Sequence, residues 1–274
     1  MYSIEILLTI LCICIVSHLS IGKSIDFDDE RVGIIGGHDA RPGDNPHMCS
    51  MRINGNHYCG ASIIGDSWAV TAAHCIVGLT PPYLSLHCGT TDRTKQGRDY
   101  NNVSRVIWHE HFDYKVDLVN DIGLIEIKGK FDMDNKYINK IALPVQGYDQ
   151  PAGVNVTSVG WGYTEYNINI TKHEFPQTLQ TVDMPVVDRD VCLEVYQDFF
   201  KEIGQNYTID VRTVCAGGHG GHNVCDHDSG SPLKFNNMLI GLTSWGKHCA
   251  IPGYPTVYTA VGQYRDWIKN HTGI

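Results

Sequence analysis

A histidine, an aspartate and a serine follow one another along the chain, each in a setting that suits one role in acyl transfer. His74 lies in Thr71-Ala72-Ala73-His74-Cys75, a single ionisable ring among small apolar neighbours. Asp121 lies in Asn120-Asp121-Ile122-Gly123-Leu124-Ile125, where a carboxylate opening an apolar run is costly to bury without a partner. Ser229 lies in Asp228-Ser229-Gly230-Ser231-Pro232. A serine hydroxyl is a weak nucleophile until a base removes its proton. An imidazole titrating near neutrality can do so, and a buried carboxylate fixes its tautomer and stabilises the imidazolium. The chain has 14 histidines, so the setting of His74, not its residue type, singles it out.

These three residues need elements to hold them. Short alternating or apolar segments read as strands at His57–Ile64, Trp68–Thr71, Tyr83–His87, Val103–Trp108, Ile122–Ile127, Val154–Val159, Thr181–Val187 and Leu239–Ser244. Gly, Asn, Asp and Pro clusters separate them, the pattern of an all-β protein with closed sheets. The tail from Val261 to His271 places Tyr264, Trp267 and Ile268 three to four apart, which predicts a short amphipathic C-terminal helix. Hydrophobic content of 42% against 19% charged residues allows a sizeable core and excludes a disordered or fibrous chain. The net charge of −9 argues against nucleic acid or an anionic membrane surface as partner.

The apolar stretch Ile6–Leu19, followed by Ser20-Ile21-Gly22-Lys23-Ser24, reads as a signal peptide over residues 1–22. A signal anchor is the alternative, because the preceding segment carries Glu5 and no Lys or Arg. Residues 23–33, with Asp26, Asp28, Asp29 and Glu30, have little to bury and read as a propeptide, leaving 34–274 as the functional domain. Of ten cysteines, Cys12 and Cys14 lie in the leader; the others form an even set, which in a secreted chain argues for disulfides. Sequons stand at Asn102, Asn155, Asn169, Asn206 and Asn270 as candidates for glycans, Asn155 the least accessible because it falls in a strand pattern.

The order His–Asp–Ser, with Ile34-Ile35-Gly36-Gly37 upstream, resembles the chymotrypsin-like serine proteases over roughly residues 34 to 270. Gly160-Trp161-Gly162-Tyr163, Val182-Asp183 to Val186-Val187, and Gly253-Tyr254-Pro255 to Val257-Tyr258 are similar to the mite group-3 protease allergens and their paralogues. The resemblance implies two six-stranded antiparallel β-barrels, with His74 and Asp121 on the first and Ser229 on the second. It implies pairing of Cys59 with Cys75, Cys192 with Cys215, and Cys225 with Cys249. Cys49 and Cys88 are left over. The family fold makes their strands neighbours, so a Cys49–Cys88 bridge is expected, with two buried thiols as the alternative. Cleavage before Ile34 would free an ammonium for Asp228, although Gly33 replaces the usual basic residue.

The same resemblance assigns the oxyanion hole to the backbone N–H groups of His227 and Ser229, and the substrate wall to Ser244, Trp245 and Gly246. His227 stands where the family has glycine, and a β-carbon disfavours the positive φ required there, so weakened activity is expected. Asn223 at the pocket floor carries no charge for Arg or Lys, and Thr256 fills part of the pocket, which implies an uncharged, medium-sized P1 side chain. The alternative is that Asn223 and Thr256 bond each other and the pocket holds nothing. Ser231 replaces a second family glycine. His219, His222, Cys225, Asp226, His227 and Asp228 form a run of potential metal ligands, but Cys225 and Asp228 have other roles, and Thr90–Lys95 lacks the acidic cluster of calcium-binding relatives. No metal or cofactor is expected. Two functions remain: a secreted monomeric zymogen of a serine endopeptidase acting on proteins or peptides, or a catalytically silent homologue that shields substrates or engages host defence proteins.

Overall fold

The computed structural model describes residue 34 and residues 36–95, 97–163, 175–205, 207–218, 223–247 and 251–274. The expected leader and propeptide lie outside the described residues, as do Asn169, Asn206, His219, His222 and Cys249. No helix among the described residues is long and apolar enough to cross a membrane.

Among the described residues, fourteen strands form two antiparallel sheets. The first comprises β2 (Met48–Ile53), β3 (Asn56–Ile63), β4 (Trp68–Thr71), β5 (Leu84–Cys88), β6 (Arg98–Tyr100), β7 (Val103–Trp108) and β8 (Gly123–Ile127). Their order is β6-β5-β2-β3-β4-β8-β7. The second comprises β1 (His38–Asp39), β9 (Asn155–Gly160), β10 (Gln180–Val187), β11 (Thr213–Ala216), β12 (Pro232–Phe235), β13 (Met238–Trp245) and β14 (Thr256–Ala260). Their order is β1-β10-β11-β14-β13-β12-β9, and a β9–β10 ladder closes six of them into a barrel. The all-β class is as expected, but only the second unit closes. The first is a seven-stranded half-barrel, since no ladder among the described residues joins the three-residue β6 to β7.

Burial follows from alternation. In β10 every second residue, Gln180, Val182, Met184 and Val186, faces inward. Each sheet has its own core, around Met51, Ala61, Ile63 and Leu86 in the first and Val156, Val182, Leu233 and Tyr258 in the second. A third cluster, with Val70 and Leu124 from the first sheet and Leu239 and Leu242 from the second, cements the seam. The C-terminal helix α2 (Arg265–Thr272) seals it with Ile268, preceded by a 3₁₀ turn over Val261–Tyr264.

A second helix, α1 (Arg189–Ile203), was not among the expected elements. Asp188 caps it by accepting from the N–H groups of Asp190 and Val191, and Gly204 ends it at φ 66°. Its buried residues Cys192, Tyr196 and Phe200 repeat every four positions and pack against Val257 and Trp245. Three disulfides join described residues: Cys49–Cys88, Cys59–Cys75 and Cys192–Cys215. Cys49 and Cys88 face each other across the β2–β5 ladder with Cα atoms 4.3 Å apart. Cys225 is also disulfide-bonded, while its expected partner Cys249 lies outside the described residues.

Candidate active site

His74 and Asp121 meet beside the ends of β4 and β8, and Ser229 lies on the turn before β12, which docks on β3. His74 follows β4 on a 3₁₀ turn, Ala73–Cys75, in which Ala73 and Cys75 are buried, and the Cys59–Cys75 bridge ties that turn to β3. Asp121 sits just before β8 after Asn120, which adopts φ 62°, a left-handed conformation that asparagine tolerates. Asn120 is held there by Tyr264, whose hydroxyl donates to its Oδ1 and accepts from its N–H, and by its own Nδ2 donating to the His111 carbonyl.

Asp121 is fully buried and every contact orients it. Its Oδ1 accepts from the His74 backbone N–H at 2.8 Å and its Oδ2 from His74 Nδ1 at 2.7 Å. The same Oδ2 accepts from Ser244 Oγ at 2.6 Å, and Thr259 Oγ1 donates to the Asp121 carbonyl at 2.8 Å. The Ser244 hydroxyl thus holds Asp121, a role with no signal in the sequence beyond its place before Trp245. The Nδ1 proton of His74 is thereby committed to Asp121, which leaves Nε2 free to act as a base. Burial lowers the His74 pKa, but the Asp121 charge and hydrogen bond outweigh it, so the net shift is upward from 6.5.

Ser229 is carried by a turn docked on the first sheet. Gly60 N–H donates to the Ser229 carbonyl at 2.8 Å, and Gly230 N–H to the Thr243 carbonyl at 2.8 Å. Gly230 has φ 73°, and a β-carbon there would meet Thr71 Oγ1 at 2.1 Å and the Gly60 carbonyl at 2.6 Å, so the turn closes only with glycine. The Ser229 hydroxyl is half-buried and has no hydrogen-bond partner among the described residues, while His74 Nε2 lies 3.8 Å from Cys75 Sγ; contacts between a nucleophile and its base commonly tighten when substrate binds.

His227 adopts φ 69°, the left-handed geometry that glycine would take freely. Its carbonyl accepts from His57 Nε2 at 3.3 Å, and His57 Nδ1 in turn accepts from Ser50 Oγ at 2.8 Å. Burial pushes the His57 pKa down to about 3, so the ring stays neutral and in the tautomer this chain of bonds requires. The N–H groups of His227 and Ser229 bond to nothing among the described residues and remain available to an anion. The Ser50–His57 support was missed in the sequence, where nothing marks His57 among so many histidines.

Asp228 turns away from the surface. Its Oδ1 accepts from Gly162 N–H at 2.7 Å and its Oδ2 from Cys225 N–H at 3.0 Å. Gly160 and Gly162 have no room for a β-carbon because the Asp228 carboxylate fills that space. Fully buried, it is pushed up to about 7 by desolvation, with the two amide bonds pulling the other way. Ile34 is also fully buried, in the core of the second barrel.

The expected pocket residues behave differently from open substrate contacts. Asn223 and Thr256 are both buried, and Thr256 Oγ1 donates to Asn223 Oδ1. That oxygen also accepts from Val224 N–H, while Asn223 Nδ2 donates to the Tyr254 carbonyl at 3.0 Å. Asn223 and Thr256 therefore form a closed polar network in which both ends of the asparagine amide are satisfied. Gly246 is exposed and a β-carbon there would meet nothing closer than 3.7 Å.

Other candidates separate from this centre. Cys59, His74 and Cys75 bring three potential ligand atoms within 4.8 Å, but the two sulfurs form a disulfide and offer no thiolate. Asn102, Asn155 and Asn270 are all exposed, so Asn155 at the start of β9 is no less accessible than the others. A cleft of about 870 Å³ beside β5 and β6 lies away from the triad, and its charged groups pair with one another as Lys95–Asp92 and Arg98–Asp132.

Comparison with known proteins agrees with this geometry. The trypsin family profile matches residues 34–268. Trypsin Blo t 3 of Blomia tropicalis is 37% identical over 86% of this chain and 85% of its own length. Trypsin-1 of Astacus astacus is 38% identical over 86% of this chain and 98% of its own. The solved structure of neuropsin, a serine protease expressed in the limbic system of mouse brain, superposes with a TM-score of 0.74 at 27% identity, covering 86% of this chain and 98% of neuropsin.

Proposed function

The chain belongs to the trypsin family, and on that premise we propose that it is a secreted serine endopeptidase made as a zymogen. Ser229 Oγ attacks the peptide carbonyl while His74 Nε2 takes its proton; Asp121, holding Nδ1–H, stabilises the resulting imidazolium. The N–H groups of His227 and Ser229 receive the oxyanion. His74 then protonates the departing amine, and water repeats the sequence on the acyl-enzyme. The observation that carries this reading is the buried, fully engaged Asp121 on His74 beside two unengaged N–H groups and a free serine hydroxyl.

The closed Asn223–Thr256 floor supports an uncharged P1 side chain of moderate length, such as Leu or Met, over Arg or Lys. Buried Asp228 and buried Ile34 support activation by cleavage before Ile34, which gives the carboxylate an ammonium partner. The disulfides suit an oxidising, extracellular compartment. The same closed floor also favours the second reading, a silent homologue that binds without cutting. Chain beginning at Ile34, treated with a fluorophosphonate and digested for mass spectrometry, separates them: an adduct on Ser229 is expected, and folded protein without it would establish the silent homologue.

A further inference from the structure

The peptide that leads into Asp121 is shaped by a residue from the far end of the chain. Asn120 is buried and takes φ 62°, where a non-glycine residue is uncommon. Each of its polar groups is engaged. Its N–H donates to the Tyr264 hydroxyl at 3.2 Å, and that hydroxyl donates to Asn120 Oδ1 at 3.1 Å. Asn120 Nδ2 donates to the His111 carbonyl at 3.2 Å. The Asn120 carbonyl accepts from Ile122 N–H at 2.8 Å, closing a turn with Asp121 at its centre.

Tyr264 is itself firmly placed. It ends the 3₁₀ turn that leads into α2 and is buried in the seam cluster with Ile122 and Ile268. The His109 ring meets it edge-on at 5.4 Å and lies 5.3 Å from the Trp267 ring of α2. Glu110 accepts from Trp267 Nε1 at 3.0 Å and pairs with His271 Nε2 at 3.1 Å. The segment before Asp121 and the C-terminal helix are thus clasped around the tyrosine. Burial raises the Tyr264 pKa, so the hydroxyl keeps its proton wherever His74 can act as a base. A phenylalanine would pack as the ring does; among the described residues the hydroxyl hydrogen-bonds to Asn120 alone.

We infer that Tyr264 is a positioning residue for the base His74, acting through Asn120 on Asp121. The inference rests on the acyl-transfer reading and deepens it by naming what sets the strength of the base. Without the hydroxyl, Asn120 N–H and Oδ1 lose their partner, and nothing offsets the left-handed conformation. The Asn120–Asp121 peptide then turns and draws the carboxylate away from His74 Nδ1–H. Ser244 and Thr259 hold Asp121 itself, but neither bonds to the residue before it. With weaker coupling, burial dominates at His74 and its pKa falls. The groups that meet the substrate stay as they were.

The test compares Tyr264→Phe with the native sequence, both as chain beginning at Ile34, on an uncharged peptide substrate. In Tyr264→Phe, kcat falls about tenfold with KM unchanged, because base geometry and not binding is lost. The acid limb of kcat/KM moves to lower pH, because a less coupled His74 gives up its proton more readily. A merely structural role would leave less active protein with the same limb, so an unmoved limb overturns the inference. If Tyr264→Phe does not fold, a pair at Asn120 decides. Asn120→Gly takes φ 62° without strain and needs no clamp, whereas Asn120→Ala keeps the strain and lacks Oδ1. The limb of the Ala form then lies below that of the Gly form; equal limbs overturn the inference. Failure of the acyl-transfer reading is seen separately, as absence of a fluorophosphonate adduct at Ser229. The coupling is then read without catalysis, by proton NMR of the His74 Nδ1–H, whose bond to Asp121 shifts it downfield. Upfield movement or loss of that resonance in Tyr264→Phe supports the inference; an unchanged resonance overturns it.

Discussion

His227 holds a β-carbon at φ 69°, a backbone region that costs a non-glycine residue about 1–2 kcal/mol. The hydrogen bond to Tyr58, the aromatic edges and the bond from His57 offset that cost, which is how the turn before Ser229 holds a positive φ without glycine. Comparing two truncations isolates the strain. His227→Gly and His227→Ala both lose the ring, but only Ala keeps the β-carbon, so the Gly form is expected to be more stable by about 1 kcal/mol in urea denaturation. Equal midpoints would mean that the loop relaxes out of the left-handed region once the ring is gone. At His74 the expected sign is also definite. Its pKa is raised, so the proton is held more tightly than by a free histidine, and the neutral base is present only at higher pH. The acid limb of kcat/KM is expected above pH 6.5, measured on an uncharged substrate; a limb below 6.5 would contradict the coupling to Asp121.

At the scale of elements, the serine turn depends on one close approach. Gly230→Ala places a methyl group against Thr71 Oγ1 and the Gly60 carbonyl at φ 73°, where neither neighbour is a flexible chain end. Destabilisation of about 3 kcal/mol or more is expected, with loss of Ser229 labelling, read by thermal unfolding and fluorophosphonate reaction. Retained labelling would show that β3 and β4 yield. The three residues of the proposed triad stand out in the sequence because acyl transfer demands unusual neighbours for each. The strand β10 was legible because its alternation runs over eight residues. The four-residue β11 is buried throughout and carries no period to read. Helix α1 was legible but passed over: Asp188, the spacing of Cys192, Tyr196 and Phe200, and Gly204 form a start, a face and a stop. The partners of Asp121 were not legible, since Ser244 and Thr259 are brought to it only by the meeting of two sheets.

For the whole molecule, the proposed catalysis and the proposed activation meet at Asp228. Asp228 is the neighbour of Ser229 in the chain, yet its carboxylate faces inward, among Gly160, Gly162 and the second barrel's strands. A buried carboxylate with two amide donors and no cation beside it among the described residues prefers its proton, and burial raises its pKa from 3.8 to about 7. An acid whose folded pKa is raised keeps its proton in the native state after the unfolded chain has released it. Native protein therefore binds more protons than unfolded between about pH 4 and 7, and stability falls as pH rises through that window. The full shift corresponds to about 4 kcal/mol as an upper bound at 1.36 kcal/mol per unit. Cleavage before Ile34 changes the sign of the local balance. Ile34 is already buried in the second barrel, and an ammonium there would hold Asp228 ionised and remove its demand for a proton. The uncut chain is expected to lose stability from pH 4 to 7 in urea denaturation, while chain beginning at Ile34 shows little change over that range. Parallel profiles for the two forms would mean that the new ammonium does not reach Asp228, and the zymogen reading would fall with it.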